Sequence, residues 1–376
     1  MQRDLNTSSN CVYRHGRSSA TSLATAVLLA LAFVNNALAQ QWHQSTGTAS
    51  LNMQSLLARN GFVFAGGATG AYRSSDAAAS FAAANSGNDA VGPTRGYAFD
   101  DTYVYSCTSQ GVFRTANNGT TWIAKSSGMS TVLTSGIVQA SGHIFVVGPG
   151  GVFRSDNHAD SWVAAGLAGV DVRCITAIGD TLFAGTNGSG IYRSSDWGAT
   201  WIASNTGLAA TNVRAIEARG TTLFAGGQVG TGVYRSTNLG ASWTLLAGGL
   251  PSGSYRGFAS SDQLIVAGSF GAGVFYSVDN GARWVAINSG LTDLTVFDLE
   301  IQAGYIVVAT NTQGVFRFAL SNLTDLSGDG CVNGPDLGIL LGAWGPCTGC
   351  SSDLNGDNSV DGSDLGLLLS NWGMCG

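Results

Sequence analysis

One string of twelve residues recurs six times along this chain, and that recurrence constrains the fold more than any other feature. It reads GAYRSSDAAASF ending at Phe81, GVFRTANNGTTW ending at Trp122, GVFRSDNHADSW ending at Trp162 and GIYRSSDWGATW ending at Trp201. It then continues as GVYRSTNLGASW ending at Trp243 and GVFYSVDNGARW ending at Trp284. The terminal aromatics are spaced 41, 40, 39, 42 and 41 residues apart. Each string follows a short β-type run such as LFAGT (182–186) or LFAGG (223–227), itself preceded by another such as VRCITAI (172–178) or VRAIEAR (213–219). Four short strands per unit of about forty residues, joined by glycine-bearing turns, predict an all-β propeller blade.

The ends of the repeat array predict how the ring closes. Trp42 lies 39 residues before Phe81, so an orphan fourth strand precedes the first unit. At the other end GVFRF (314–318) supplies a third strand with no fourth of its own. Pairing the two completes a seventh blade over residues 40–321 and removes edges that would otherwise invite aggregation. The expectation is a seven-bladed β-propeller, followed by a small α-helical domain over residues 324–376.

The S-x-D-x-G-x-T-W pattern, clearest at Ser194, Asp196, Gly198, Thr200 and Trp201, resembles the Asp-box, or bacterial neuraminidase repeat. Asn117 and Asn238 replace the Asp in other copies, and Phe81 replaces the Trp. Related repeats occur in sialidases, xyloglucan-cleaving glycosidases, sortilin-type receptors and photosystem assembly factors. The resemblance therefore implies a propeller whose boxes are structural hairpins, and leaves hydrolase and binding protein both open.

Residues 1–39 read as a signal peptide. Arg3, Arg14 and Arg17 precede an apolar run from Leu23 to Val34, and Ala37-Leu38-Ala39 supplies a small-x-small cleavage pattern before Gln40. That run is shorter than the ~20 residues of a membrane span, and no later segment is long enough, so the mature chain is expected to be secreted or cell-surface attached without a span. Beyond residue 39 there are 14 basic and 22 acidic residues, and Lys125 is the sole lysine. So few cations exclude nucleic acid as a partner.

Within the propeller, Arg95, Arg173, Arg214 and Arg256 all occupy the start of the first strand of their blades. That register places them near the central opening on the face away from the boxes, where arginine forks suit a carboxylate, sulfate or uronate on an anionic glycan. A second set (Arg73, Arg114, Arg154, Arg193, Arg235 and Arg317) recurs once per blade in the repeated string, which argues for a structural role. Glu217 and Glu300, the only glutamates, fall at the same depth on first strands two blades apart. Paired carboxylates of this kind are what glycoside hydrolysis uses as acid and as base or nucleophile. Against catalysis stand short connecting loops, four histidines without metal-ligand spacing, and no counterpart of the sialidase arginine triad, Tyr–Glu pair and Asp acid.

The C-terminal region holds the most specific chemistry. Asp325, Ser327, Asp329, Cys331, Asn333 and Asp336 fall at positions 1, 3, 5, 7, 9 and 12 of an EF-hand-type loop, position 7 acting through its backbone carbonyl. Asp353, Asn355, Asp357, Ser359, Asp361 and Asp364 repeat the pattern 28 residues on, as Trp372 repeats Trp344. Seven aspartates and no Lys or Arg from Asp325 onward suit two calcium ions. Each loop precedes an apolar helical run, LGILLGAW or LGLLLSNW. Two such loop–helix halves with Asp at position 12 resemble a type I dockerin, which implies attachment to a cohesin-like or surface scaffold and a setting of polysaccharide breakdown. Positions 10 and 11 depart from the usual recognition residues, holding Gly334-Pro335 and Gly362-Ser363. Cys331, Cys347, Cys350 and Cys375 are expected to staple this small domain as Cys331–Cys347 and Cys350–Cys375, with a zinc site as the rival; Cys107 and Cys174 are expected to be buried free thiols.

Three readings follow: a secreted interaction protein that binds a glycan or protein and is tethered by its calcium-loop tail; an Asp-box glycoside hydrolase using Glu217 and Glu300; or a structural surface protein. The balance of features favours binding over catalysis.

Overall fold

The computed structural model describes residues 41–87, 92–228, 232–262, 264–347 and 350–375; the segment expected to be a signal peptide, residues 1–39, lies outside the described residues. Seven four-stranded antiparallel sheets form the propeller. Their innermost strands are Met53–Arg59, Thr94–Phe99, Gly136–Ala140, Val172–Ile178, Val213–Arg219, Tyr255–Ser260 and Val296–Gln302, in blades one to seven. Six blades are continuous in sequence. In the seventh, the strand His43–Gln44 pairs antiparallel with Val315–Ala319, setting His43 opposite Arg317 and Gln44 opposite Phe316. The orphan strands of the sequence thus meet. Trp42 reinforces the joint: its backbone N–H donates to the Ser289 carbonyl at 2.9 Å, its indole donates to the Ile287 carbonyl, and its ring packs on Phe318 at 5.3 Å.

The recurring turn joins the third and fourth strands of a blade. In blade four, Ser194 Oγ accepts from the Gly198 N–H at 2.9 Å and donates to Asp196 Oδ1 at 2.8 Å. Asp196 in turn accepts from the Thr200 N–H at 2.8 Å and from its hydroxyl at 2.5 Å. These donors hold the Asp196 carboxyl down at about 2. Asn117 works in the same place because its Oδ1 accepts from the Thr121 N–H while its Nδ2 donates to the Thr121 hydroxyl. Two successive left-handed residues, such as Trp197 (φ 59°) and Gly198 (φ 82°), reverse the chain here. The closing aromatic lies beneath, and the indoles of Trp122, Trp162 and Trp243 reach back to the preceding blade, at the Ala84, Lys125 and Ser204 carbonyls, whereas Trp284 donates to Gly281 of its own turn.

The arginine of the repeated string also ties neighbouring blades. It donates to the carbonyl of the first left-handed residue in the next blade's turn: Arg73 to Asn118, Arg114 to His158, Arg154 to Trp197, Arg193 to Leu239 and Arg235 to Asn280. Arg317 of blade seven reaches Ala77 of blade one, so the series runs across the closure. Several of these guanidinium groups also stack on an aromatic of their own blade, as Arg114 does on Tyr103 at 4.2 Å. The once-per-blade arginines are therefore inter-blade struts. Blade six alone has Tyr276 in this register, opposite Val266 and Val285, and the blade it faces, the seventh, has no such turn because its fourth strand comes from the N-terminus.

A short 3-10 turn, Leu320–Leu323, leads into the tail, whose helices are α1 (Gly334–Gly342) and α2 (Gly362–Ser370), each following one acidic loop. Leu326, Val332, Leu340, Leu354, Val360 and Leu368 form its small core. The disulfides are Cys331–Cys375 and Cys347–Cys350, which corrects the expected pairing. The reason is that the C-terminus returns alongside the first loop: Val332 N–H donates to Met374 O and Gly373 N–H to Val332 O, both at 2.8 Å, placing Cys331 opposite Cys375. The bridge spans both halves instead of staying within one. Cys107 and Cys174 are free, and burial pushes both thiols up to about 12. Among the described residues no helix is long and apolar enough to cross a membrane.

The strut geometry carries a measurable consequence. Arg235→Ala, which deletes the 2.7 Å bond to the Asn280 carbonyl, should lower unfolding free energy by about 1–2 kcal/mol, seen as a reduced urea midpoint with an unchanged m-value.

Candidate functional site: the mouth of the central channel

The innermost strands share a defect that the sequence does not announce. In six of the seven blades the pairing between first and second strand slips by one residue near the start of the first. The skipped residues are Gln54, Arg95, Arg173, Arg214, Arg256 and Phe297; blade three keeps regular pairing. A β-bulge leaves its extra residue out of the ladder and re-aims its side chain. Here the bulge lies at the arginine register, and the released side chains converge on the channel. Gln54, Arg95, Arg214, Arg256 and Phe297 line one open cavity of about 200 Å³, with Cys174, Glu217 and Asp298 also in its wall. Arg173 and Glu300 are not part of that lining; Arg173 precedes Cys174 in the chain and Glu300 lies two residues beyond Asp298.

The four arginines are not neutralised in kind. Arg173 donates to Asp171 at 2.5 Å. Arg256 lies over the Phe270 ring at 3.8 Å and near Phe297 at 5.3 Å, between two rings that meet edge to face. Burial, and the positive charge of Arg173 beside it, lower the pKa of Arg214; burial and Arg214 do the same to Arg256. The Nε atoms of all four are buried and have no hydrogen-bond partner among the described residues. Crowded guanidinium groups with unmet donors concentrate positive charge at the mouth, the chemistry that suits an oxyanion.

The acids of the first strands act on their neighbours. Ser260 of blade six donates to Glu217 at 2.7 Å. Asp298 and Glu300 of blade seven accept the N–H groups of Leu56 (2.8 Å) and Ala58 (3.4 Å), which lie two residues apart on the inner strand of blade one. The i, i+2 spacing of the acids matches that of the unpaired amides. The closure seam is thus held on its channel side by carboxylates and at its rim by the N-terminal strand. Burial, first of all, raises these groups: Glu217 to about 7, Asp298 to about 8 and Glu300 to about 7, with mutual repulsion adding to the first two. The sequence offers Asp298 only as an acid that could pair with the channel arginines, not as a site residue, although an acid two residues before Glu300 on a strand was the available signal.

In the tail the two acidic loops share one hydrogen-bond plan. Asp325 accepts from Gly328 and Gly330, and Asp336 from Ser327 and Asn333. Asp353 accepts from Gly356 and Asn358, and Asp364 from Leu354, Asn355 and Asp361. Asn358 (φ 67°) does the work of Gly330 (φ 88°), which accounts for the glycine missing from the second loop. Carboxylate oxygens of Asp325, Asp329 and Asp336 lie within 4.8 Å of one another. Asn333 and Asp336 form the capping box of α1, the Asn333 side chain facing the Asp336 backbone N–H and the Asp336 carboxyl the Asn333 N–H.

No protein-family model matches the sequence, and no curated protein matches it. Among solved structures the chain is similar to the GH74 xyloglucanase from Xanthomonas campestris, with a TM-score of 0.61 at 15% identity over 75% of this chain and 54% of that one. It is similar to YCF48 from Cyanidioschyzon merolae, with a TM-score of 0.61 at 11% identity over 74% of this chain and 99% of that one. The extracellular domain of a one component system from B. thetaiotaomicron gives 0.60 at 11% identity, over 74% and 40% of the two chains. The chain spans about half the length of the xyloglucanase. At these identities the likeness is one of fold, and the class it defines is the seven-bladed β-propeller.

The buried acids set a pH dependence with a definite sign. A carboxyl raised from 3.8 to about 8 on folding holds its proton in the native state, so its contribution is full below about pH 4 and is lost as pH climbs toward 8. Asp298→Asn, which keeps an oxygen for the Leu56 amide, should stabilise the chain at pH 9 by about 2–4 kcal/mol and leave it nearly unchanged at pH 4, by urea denaturation.

Proposed function

We propose that this protein is a secreted interaction protein whose propeller captures an anionic glycan at the channel mouth. Its acidic tail holds two calcium ions and attaches the chain to a cohesin-like or surface scaffold. The observation that carries the reading is the set of four arginines at bulge positions, three of them lining one opening, each with a buried Nε that has no partner among the described residues. Arg95, Arg173, Arg214 and Arg256 would take the carboxylate or sulfate groups of the ligand, and the Phe270–Phe297 pair holds Arg256 rigid for that purpose. The opening is shallow and walled by short loops, which suits recognition better than a reaction that must exclude water.

The residues of the tail fit a hard divalent cation. Three carboxylates within reach of one point and no Lys or Arg from Asp325 onward support the calcium reading for the first loop. Asp325, Ser327, Asp329, Asn333 and Asp336, with the Cys331 carbonyl, would hold one ion. Asp353, Asn355, Asp357, Asp361 and Asp364, with the Ser359 carbonyl, would hold the second. Calcium would supply the positive charge that lets each acidic loop close around its buried carboxylates. The dockerin-like reading rests on that duplicated plan and on the two loop–helix halves, and the N-terminal segment supports export. The fold likeness to a xyloglucanase supports a setting in polysaccharide processing.

A second reading is a glycoside hydrolase using Glu217 and Glu300, favoured by carboxyls that are raised to about 7 beside the channel and so available as acids. Reducing-sugar release from xyloglucan, sialylated and uronate substrates tests it: the reading requires activity that the Glu217→Gln, Glu300→Gln double variant loses.

The leading reading is tested on a glycan array with the full secreted chain. Uronate- or sulfate-bearing glycans should be retained, neutral ones should not, and capture should weaken as salt rises. Arg173→Ala with Arg214→Ala should reduce retention roughly tenfold to a hundredfold. Equal retention by the variant would remove the mouth as the binding site.

A further inference from the structure

Six arginine struts run from one blade to the turn of the next, and the series breaks at one place. Blade six carries Tyr276 where the others carry arginine, and blade seven carries no turn to receive a strut. That gap is filled. Tyr276 Oη donates at 3.0 Å to the backbone carbonyl of Leu354, in the second acidic loop of the tail, and the bond is buried. The loop supplies a carbonyl to blade six as an ordinary blade turn would.

Two further contacts make this a fitted surface. Ile123, Val163 and Ile202, which flank the strut on outermost strands, are 60%, 54% and 54% exposed. Their counterpart Val285 is half-buried, because the backbone of Gly356 lies against it. A Cβ on Gly356, whose φ is +76°, would come within 3.0 Å of Val285 Cγ2. Arg283 Nη1 also lies 3.7 Å from Asp357 Oδ2.

We propose that the second acidic loop of the tail serves as the missing turn of blade seven, so that calcium in that loop and the closed propeller ring stabilise one another. This rests on the calcium reading above and adds to it an internal partner for the loop. The Leu354 peptide provides the link. It lies between Asp353 and Asn355, and its N–H donates at 2.8 Å to Asp364, while its carbonyl meets Tyr276. A cation that gathers Asp353, Asn355 and Asp364 fixes the peptide that Tyr276 reads. Coupling of this kind is reciprocal: whatever the docked loop adds to the propeller, the propeller adds to calcium affinity. The Arg283–Asp357 pair works the other way, since a bound cation draws on the same carboxylate. At 3.7 Å and with Arg283 48% exposed, it is the weaker of the two contacts.

The experiment uses the full secreted chain and calcium alone. Titration calorimetry counts bound ions, while thermal unfolding and hydrogen exchange follow the propeller. Calcium should raise the propeller's unfolding midpoint by roughly 2–4 °C and slow exchange in the strands His43–Gln44 and Gly273–Ser277. Tyr276→Phe should still bind two ions but lose at least half of that rise. Asp364→Asn, which changes no propeller residue, should bind one ion and show no calcium-dependent rise in propeller midpoint over its own calcium-free state. Two bound ions with no change in propeller midpoint or exchange would overturn the inference and leave the calcium reading standing. A full rise in Tyr276→Phe would also overturn it, and failure to bind calcium at all would overturn both.

Discussion

Everything in this propeller depends on a pairing between the two ends of its array. The strand His43–Gln44 meets Val315–Ala319 over only two residue pairs, too little to hold a ring of this size by backbone bonds alone. The joint holds because other contacts converge on it: the Trp42 indole on blade six, the Arg317 strut to blade one, and the Asp298 and Glu300 carboxylates on the inner amides of blade one. Each is individually modest. Together they make the seventh interface equivalent to the six that the continuous chain makes locally.

That arrangement explains why the same residue types serve opposite purposes in different places. Arginine in the repeated string is satisfied by a neighbouring carbonyl and spends its charge on blade packing. Arginine at the bulge position leaves its Nε without an acceptor among the described residues, and three of these four side chains line the channel opening. The difference lies in the bulge, a single unpaired residue that turns a side chain from the sheet toward the opening. The acids follow a similar division, with Asp196 held ionised by three donors in its turn and Asp298 held protonated by burial.

Much of the architecture was legible in the sequence. The forty-residue period, the string ending in Trp or Phe, and the unmatched strands at either end predicted seven blades and their closure, and all are found. The arginine register was legible as well, although the bulge that aims it was not, because a slip in strand pairing leaves no mark in one strand alone. The disulfide pairing was misread for a related reason. Cysteine spacing within each half suggested local bridges, whereas the returning C-terminus brings Cys375 against Cys331.

Sequence periodicity alone determined the blade, because each unit contains its own alternating strands, its own turn donors and its own closing aromatic. Contacts between units lie beyond that reach. Which carbonyl receives each strut, which amides the channel acids cover, and where the tail settles on blade six all depend on residues far apart in the chain. Packing of blade on blade brings most of them within bonding distance, and only the closed ring does so for the first and last, since seven radial sheets must complete a circle before those two can touch.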